Sequence, residues 1–194
     1  MRASFPVALK LTGRPCLVVG SGRETERRVR ALLDAGAQVR LVTPGSAAEF
    51  ASFAAPPALV VEQREYRSSD LAGVWLAVLC ERNPPLAKRM SQDAERCQTF
   101  FCAIDQPVPS SFSNVGLARS GPLFVAVGTE GKAPALARRL KDELQRLLDD
   151  PTLRAFVEHI IELREHTPAA ERAKRLEREM QRLHLKANFA LDED

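Results

Sequence analysis

The sequence predicts an α/β chain: a parallel sheet interleaved with helices, then a short strand pair and a helical remainder. Three observations carry this. Up to Asp105, short runs rich in β-branched or aromatic residues alternate with amphipathic stretches. One such run leads through Gly20-Ser21-Gly22 directly into an amphipathic stretch. From Pro134 onward the apolar residues recur at helical spacing.

The expected strands are Pro15–Val19, Val39–Val42, Leu59–Glu62, Trp75–Leu79 and Phe100–Ile104. Each is short and dense in residues that suit a pleated, buried surface. Between them lie Glu24–Ala35, Ser46–Phe53 and Pro85–Cys97, whose apolar positions fall nearer the 3.6-residue period. The turn-rich segment Gln106-Pro107-Val108-Pro109-Ser110-Ser111 marks a boundary. Phe112–Leu117 and Leu123–Val127 come next as two further strands, separated by Arg119-Ser120-Gly121-Pro122. Leu136, Leu140, Leu144, Leu147 and Leu148 then set a helical stripe that Phe156, Ile160, Ile161 and Leu163 continue. Pro151 and Pro168 stand where helices start, with Asp150 and Thr167 as expected N-caps. Ala169–Leu183 is highly charged and reads as a solvated helix, with Asp192-Glu193-Asp194 as a frayed tail.

Composition narrows the function classes. The 194 residues suffice for one good domain and an appendage, and 45% hydrophobic with 27% charged residues excludes disorder, collagen and a disulfide-stapled miniprotein. Apolar runs such as Val74–Cys80 fall far short of the roughly 20 residues of a membrane span, so no membrane partner is expected. A net charge of +3, from 28 basic against 25 acidic residues, is too balanced for a duplex-DNA footprint. A single Trp and a single Tyr leave no aromatic platform for nucleic acid either. The opening Met1-Arg2-Ala3-Ser4-Phe5-Pro6 has no long apolar run or cleavage pattern, so no signal peptide and a cytoplasmic location are expected. Cys16, Cys80, Cys97 and Cys102 form no CxxC pair, which suits buried, reduced thiols rather than zinc. His159 and His166 are seven residues apart, but neither they nor His184 has a third ligand at a recognisable spacing, so no metal site is expected.

The most informative local feature is Leu17-Val18-Val19-Gly20-Ser21-Gly22-Arg23-Glu24-Thr25, a strand that turns through Gly-x-Gly into a helix. The next strand arrives about 20 residues later, the context that a dinucleotide fingerprint requires. Gly20 permits the tight turn, Gly22 lets backbone approach a pyrophosphate, and amides at the helix start face the phosphate charge. Thr25 occupies the third-glycine position, and the second strand ends in Val42-Thr43-Pro44 with no acid for a ribose hydroxyl. A glycine turn that binds no nucleotide fits the same residues. The choice between NAD and NADP stays open, with Arg23 and Arg40 as candidate 2′-phosphate partners.

Asp105 ends the fifth expected strand, on the side of an open sheet where ligands bind. It suits an acid–base group, and equally an aspartate that hydrogen-bonds the amides of its own turn before Pro107.

Taken together, several stretches resemble the precorrin-2 dehydrogenases, a family that includes the N-terminal module of siroheme synthases and the bifunctional precorrin-2 dehydrogenase/sirohydrochlorin ferrochelatases. Phe5–Gly22 resembles their opening, and Glu26-Arg27-Arg28 after the glycine turn fits the same family. Trp75–Asn83 resembles the fourth strand and its polar loop, and Cys102-Ala103-Ile104-Asp105-Gln106-Pro107 the family's Asn-Val-Val-Asp-x-Pro stretch. Ser111-Phe112, Gly121-Pro122-Leu123 and Val125–Ala137 resemble the strand, loop and helix beyond, so the likeness runs over Phe5–Leu148. Glu24-Thr25 departs from the usual Val-Ala, Val115 from a proline and Ser120 from an arginine, while Gly128 and Lys132-Ala133 stand where hydroxyl residues are common.

The resemblance implies a Rossmann-like NAD-binding domain over residues 1–110, a central dimerisation segment over 111–148 and a helical C-terminal domain over 149–194. It implies NAD-dependent oxidation of precorrin-2 to sirohydrochlorin by a homodimer, with Fe²⁺ insertion as a further activity of some members. Asp105 matches the family's key carboxylate. Gly20, Ser21, Gly22, Arg23, Glu24, Thr25, Thr43, Pro44, Cys80 and Asn83 fall at cofactor positions. Arg119, Thr129 and Lys132 fall at substrate positions, where cations suit the macrocycle's many carboxylates. The competing implication is a nucleotide- or tetrapyrrole-binding module of the same fold without turnover, motivated by Glu24-Thr25 and Gly128.

Overall fold

A computed structural model describes residues 4–50, 52–53 and 57–186. The acidic tail Asp192–Asp194 lies outside the described residues. Two compact units divide the chain: Met1–Asn114 with Glu130–Lys132, and Val115–Thr129 with Ala133–Asp194, each so far as its residues are described.

The first unit is a five-stranded parallel sheet. Its strands are β1 (Pro15–Val19), β2 (Gln38–Thr43), β3 (Leu59–Gln63), β4 (Leu76–Leu79) and β5 (Phe100–Ala103), in the order β3-β2-β1-β4-β5. Helix α1 (Gly22–Asp34) connects β1 to β2, and α2 (Pro84–Cys97) connects β4 to β5. Alternation along the strands explains why helices cover both faces. Leu17 and Val19 join Ala77, Leu79 and Phe101 in one core, against Ala87, Met90 and Ala94 of α2. Cys16 and Val18 point the other way, into a core with Val39, Leu41, Val78 and the α1 residues Val29 and Leu32. Each fully buried Leu, Val or Phe contributes about 1.5–3 kcal/mol relative to exposure.

This strand order reverses at β1. The chain steps outward from β1 to β2 and β3, then crosses back to β4 on the other side. The reversal opens a crevice beyond the carboxyl ends of β1 and β4, where open α/β sheets take their ligands.

Local departures from the expected elements have physical causes. Among the described residues of 46–53 there is a single 3₁₀ turn, Ala47–Phe50, held by Phe50 in the core with the Phe53 ring tilted against it at 5.5 Å. Trp75 precedes β4 and carries the Arg14 guanidinium 3.8 Å above its ring. All four cysteines are free, but burial holds only for Cys16 and Cys102; Cys80 is half-buried and Cys97 is exposed at the end of α2.

Under β3, Arg64 bridges Asp70 at 2.7 and 2.8 Å and Glu62 at 2.6 and 2.8 Å, while Asp70 also accepts from the Arg67 amide at 2.8 Å. Burial raises the Asp70 pKa, but these donors outweigh it and leave the carboxyl below its usual range. A depressed carboxyl pKa stabilises the fold above the ordinary carboxylate range and loses that contribution as pH falls through the folded value. Asp70→Asn is therefore expected to cost about 2–3 kcal/mol near neutral pH, less than the ~3–5 of a fully buried pair because Arg64 keeps some water. Urea unfolding checks this, and the gap from the parent should narrow progressively as pH falls below about 4.

In the second unit, β6 (Gly116–Ser120) and β7 (Leu123–Val127) form an antiparallel hairpin. The expected strand Phe112–Leu117 is thus shifted: Phe112, half-buried, packs against the first unit's core, and Arg119 and Ser120 belong to β6 rather than to the turn, which is Gly121-Pro122. Helix α3 (Pro134–Leu148) lies on this hairpin. Gln145 supplies the pairing of another strand, accepting from the Arg119 amide and donating to its carbonyl, both at 2.9 Å. A Cβ on Gly128 would come 3.2 Å from Val115 Cγ1, so the two departures from the family pattern fit each other.

Helices α4 (Pro151–His166) and α5 (Ala169–Met180) complete the unit. Asp150 caps α4 by accepting from the Thr152 amide at 2.7 Å. Thr167 is no N-cap: its hydroxyl is buried without a partner, and its carbonyl accepts from Arg172 at 3.1 and 3.3 Å. Among the described residues no helix is long and apolar enough to cross a membrane.

Candidate functional site

At the end of β1 the backbone turns through Gly20 at φ +136°. A Cβ here would lie 3.1 Å from Thr25 Oγ1 and 3.2 Å from Cys80 Cβ, so only glycine lets the turn close between α1 and β4. Thr25 fits the third-glycine position because its hydroxyl, fully buried, donates to the Ser21 carbonyl at 2.9 Å. Helix α1 then begins at Gly22, φ +77°, with no protein atom within 4 Å of a Cβ built there. Ser21 is the N-cap but its side chain makes no capping hydrogen bond. The first amides of α1 are therefore left without a capping side chain, an arrangement suited to a phosphate.

Register places the neighbouring segments around this turn. Gly20 donates to the Val42 carbonyl at 3.1 Å, and Cys80 to Val19 at 2.8 Å. Burial pushes the Cys80 thiol up to about 12, so it stays protonated and is no nucleophile at neutral pH. Thr43 is spent on its own loop: Oγ1 accepts from the Gly45 amide at 3.0 Å, and the carbonyl accepts from Arg64 at 2.9 Å. Pro44 is exposed. Asn83 caps α2, accepting from Leu86 at 3.1 Å and donating to Glu81 at 3.3 Å, so it fixes the loop after β4.

Glu24 faces the next turn of α1 and binds Arg27 at 3.0 Å and Arg28 at 2.9 Å. Burial raises its pKa, but both arginines outweigh this and lower it. Arg28 continues to Asn114 at 3.0 Å, and Asn114 to the Cys102 sulfur at 3.2 Å. Arg23 is exposed, whereas Arg40 lies 3.7 Å from Glu62.

Asp105 follows β5 in the left-handed region, φ +57°. Aspartate tolerates that conformation better than most residues. The turn holds together without its carboxylate. Gln106 donates from its amide to the Ala103 carbonyl and from its side chain to the Glu81 carbonyl, both at 3.1 Å. Ser110 Oγ accepts from the Ala103 amide at 2.9 Å and donates to the Gln106 carbonyl at 2.8 Å. The exposed Asp105 carboxylate makes no hydrogen bond or ion pair among the described residues, which removes the purely local role for it. With β4 lying between β1 and β5, two strand spacings put the ends of β1 and β5 about 10 Å apart. Arg27 feels the Asp105 carboxylate: the Glu24 hydrogen bond is the main cause of its raised pKa, and the Asp105 charge adds to it.

The substrate candidates divide between units. Lys132, in the first, lies 3.5 Å from Glu130. In the second, Arg119 stacks 5.3 Å from the Phe124 ring, and Thr129 accepts from the Ala133 amide at 3.2 Å. The sequence reading missed Arg27 as a site residue, although Glu24 three residues before it is an ion-pair spacing. It also missed Ser110 and Ser111, taken only as part of a turn-rich boundary.

Residues 7–115, which hold the glycine turn and Asp105, match the model of the putative NAD(P)-binding family. The chain belongs to that family. Residues 120–147 match the sirohaem biosynthesis protein central domain. Over 144 residues, 74% of the chain, this family member is 37% identical to a siroheme synthase of Neisseria meningitidis serogroup C. Over the same length it is 36% identical to siroheme synthase 3 of Aeromonas hydrophila and 34% to a siroheme synthase of Escherichia coli. It spans 30% to 32% of the length of these relatives. The resemblance to siroheme synthases read from the sequence is thereby borne out. A solved structure titled SirC, precorrin-2 dehydrogenase, superposes with a TM-score of 0.73 at 22% identity, covering 90% of this chain and 88% of that one; this likeness speaks to the fold.

Proposed function

We propose that the chain is an NAD-dependent precorrin-2 dehydrogenase, oxidising precorrin-2 to sirohydrochlorin in siroheme biosynthesis, and that it works as a cytoplasmic homodimer. One observation carries the reading: a carboxylate with no structural duty stands at the end of β5, at the same carboxyl edge of the sheet as a glycine turn whose helix has no capping side chain. Bound NAD⁺ would supply the acceptor for the hydride that leaves the macrocycle. The amides of Gly22 and Arg23 would hold its pyrophosphate, and Thr25 and Cys80 fix the bend at Gly20. Asp105 accepts the proton released as conjugation extends, so that substrate loses one hydride and one proton. Arg119, Thr129 and Lys132 meet the carboxylate arms.

NAD is favoured over NADP because Arg40, the candidate partner on β2 for a 2′-phosphate, is already paired with Glu62. Residues 1–110, 111–148 and 149–194 serve as cofactor, dimerisation and helical domains. Exposed Val115, Leu117 and Phe124 on a two-stranded hairpin suit pairing with a second copy, since such a hairpin alone is marginal. The packing of Thr25 and of Gly128 against Val115 weakens the case for a module without turnover.

Anaerobic incubation with precorrin-2 tests the reading, using NAD⁺ or NADP⁺, with and without Fe²⁺. The sirohydrochlorin absorption spectrum should appear with one NADH per macrocycle, faster with NAD⁺ than with NADP⁺. No spectral change with NAD⁺ would remove the dehydrogenase reading. A siroheme spectrum confined to the Fe²⁺ sample would add iron insertion.

A further inference from the structure

A cavity of about 540 Å³ opens between α2 and the loop after β5, with Asp105 in its wall. Its other charged lining residues are Arg82, just before α2, and Lys88, one turn into it. All three lack a hydrogen bond or ion pair among the described residues. That contrasts with other arginines of the same helix: Arg89 lies over the Tyr66 ring and donates to Ser68, and Arg96 binds Asp93 at 2.9 Å. The rest of the lining is mainly apolar, including Pro107 and Val108, the latter 96% exposed although nothing polar recommends it to water.

Two uncommitted cations beside an apolar wall match a ligand that is flat, largely apolar and fringed with carboxylates. We infer that Arg82 and Lys88 form a carboxylate-binding subsite that seats part of the tetrapyrrole in this cavity, with a reacting ring edge at Asp105. The inference rests on the proposed function and extends it to residues outside the glycine turn. The cations act on binding: they fix two carboxylate arms of the macrocycle while its ring lies on the Pro107–Val108 wall. They take no part in proton transfer, so their loss acts on KM and leaves kcat nearly untouched.

The test compares the full chain with the double variant Arg82→Ala/Lys88→Ala. Both side chains are exposed, so the variant should fold, which circular dichroism checks. KM for precorrin-2 should rise about 10–100-fold, the loss of one or two charge-assisted contacts, with kcat within about twofold and NAD⁺ affinity unchanged. An unchanged KM in an active parent would overturn the subsite and leave the dehydrogenase reading intact. Should the parent fail to turn over precorrin-2, that reading falls, and binding of the octacarboxylate uroporphyrin decides the subsite alone. Weaker uroporphyrin binding by the double variant, with no matching loss for a tetracationic porphyrin, supports it; equal binding or none overturns it.

Discussion

Replacing Asp105 by Asn should lower turnover of precorrin-2 by about 10²–10⁴-fold, the usual contribution of a positioned acid–base group. NADH affinity and the thermal midpoint should stay at the parent values. The substitution is unusually clean. Asn is at least as comfortable as Asp at φ +57°, and the carboxylate it replaces holds no hydrogen bond within the turn. Ser110 and Gln106 keep the loop in place in the variant. Steady-state kinetics with a parallel NADH titration checks this, and an unaltered kcat would take proton transfer away from Asp105. Asp105→Ala is a poorer choice, because alanine in the left-handed region adds a backbone cost of roughly 1–2 kcal/mol.

Gly22→Ala should weaken NADH binding about 10–100-fold, equivalent to losing a charge-assisted hydrogen bond or two. Its cost to stability should be roughly 1–2 kcal/mol, the penalty of φ +77° for a residue with a Cβ, since the new methyl group meets nothing beyond its own turn of helix. The methyl group would stand in the open space before the first amides of α1, where the pyrophosphate is proposed to lie. Gly20→Ala is not equivalent, because its Cβ runs into Thr25 and Cys80 and disturbs the fold itself. Calorimetric titration with NADH, beside a urea unfolding curve, separates the two effects. NADH affinity equal to the parent would place the cofactor elsewhere.

The sheet was legible because its strands are buried on both faces, and Pro15–Val19 has the bounds that its apolar run predicts; Leu123–Val127 in the hairpin does too, although its residues alternate between half-buried and exposed. Reading failed where an apolar residue serves a neighbouring segment. Phe112 looks like the start of a strand yet, half-buried, packs against the core behind α1, and the strand beyond it contains Arg119 and Ser120, where Gln145 pairs with the Arg119 backbone. Ser46–Phe53 has helical spacing, but two phenylalanine anchors and a preceding Pro44-Gly45 allow only one turn. At the candidate site, Gly20, Gly22 and Asp105 announce themselves by their places after strands. What Asp105 does not do was illegible: its freedom comes from Ser110 and Gln106 bonding to residues 7 and 25 positions away. The cationic cavity escaped for the same reason, since Arg82 and Lys88 look like any solvated charges until their lack of partners is seen.

Phe101 exchanges two hydrogen bonds with Ser111 Oγ, at 2.8 and 3.2 Å, and its carbonyl also accepts from the Ser111 amide at 2.8 Å. Together with Ser110 on Ala103, these contacts mean that the outer rim of β5 ends in hydroxyl groups and not in bare amides. A sixth strand from another molecule finds no ladder to extend there, and the sheet is protected from open-ended growth on that side. The same short stretch that leaves Asp105 at liberty thus also closes the β5 edge of the sheet.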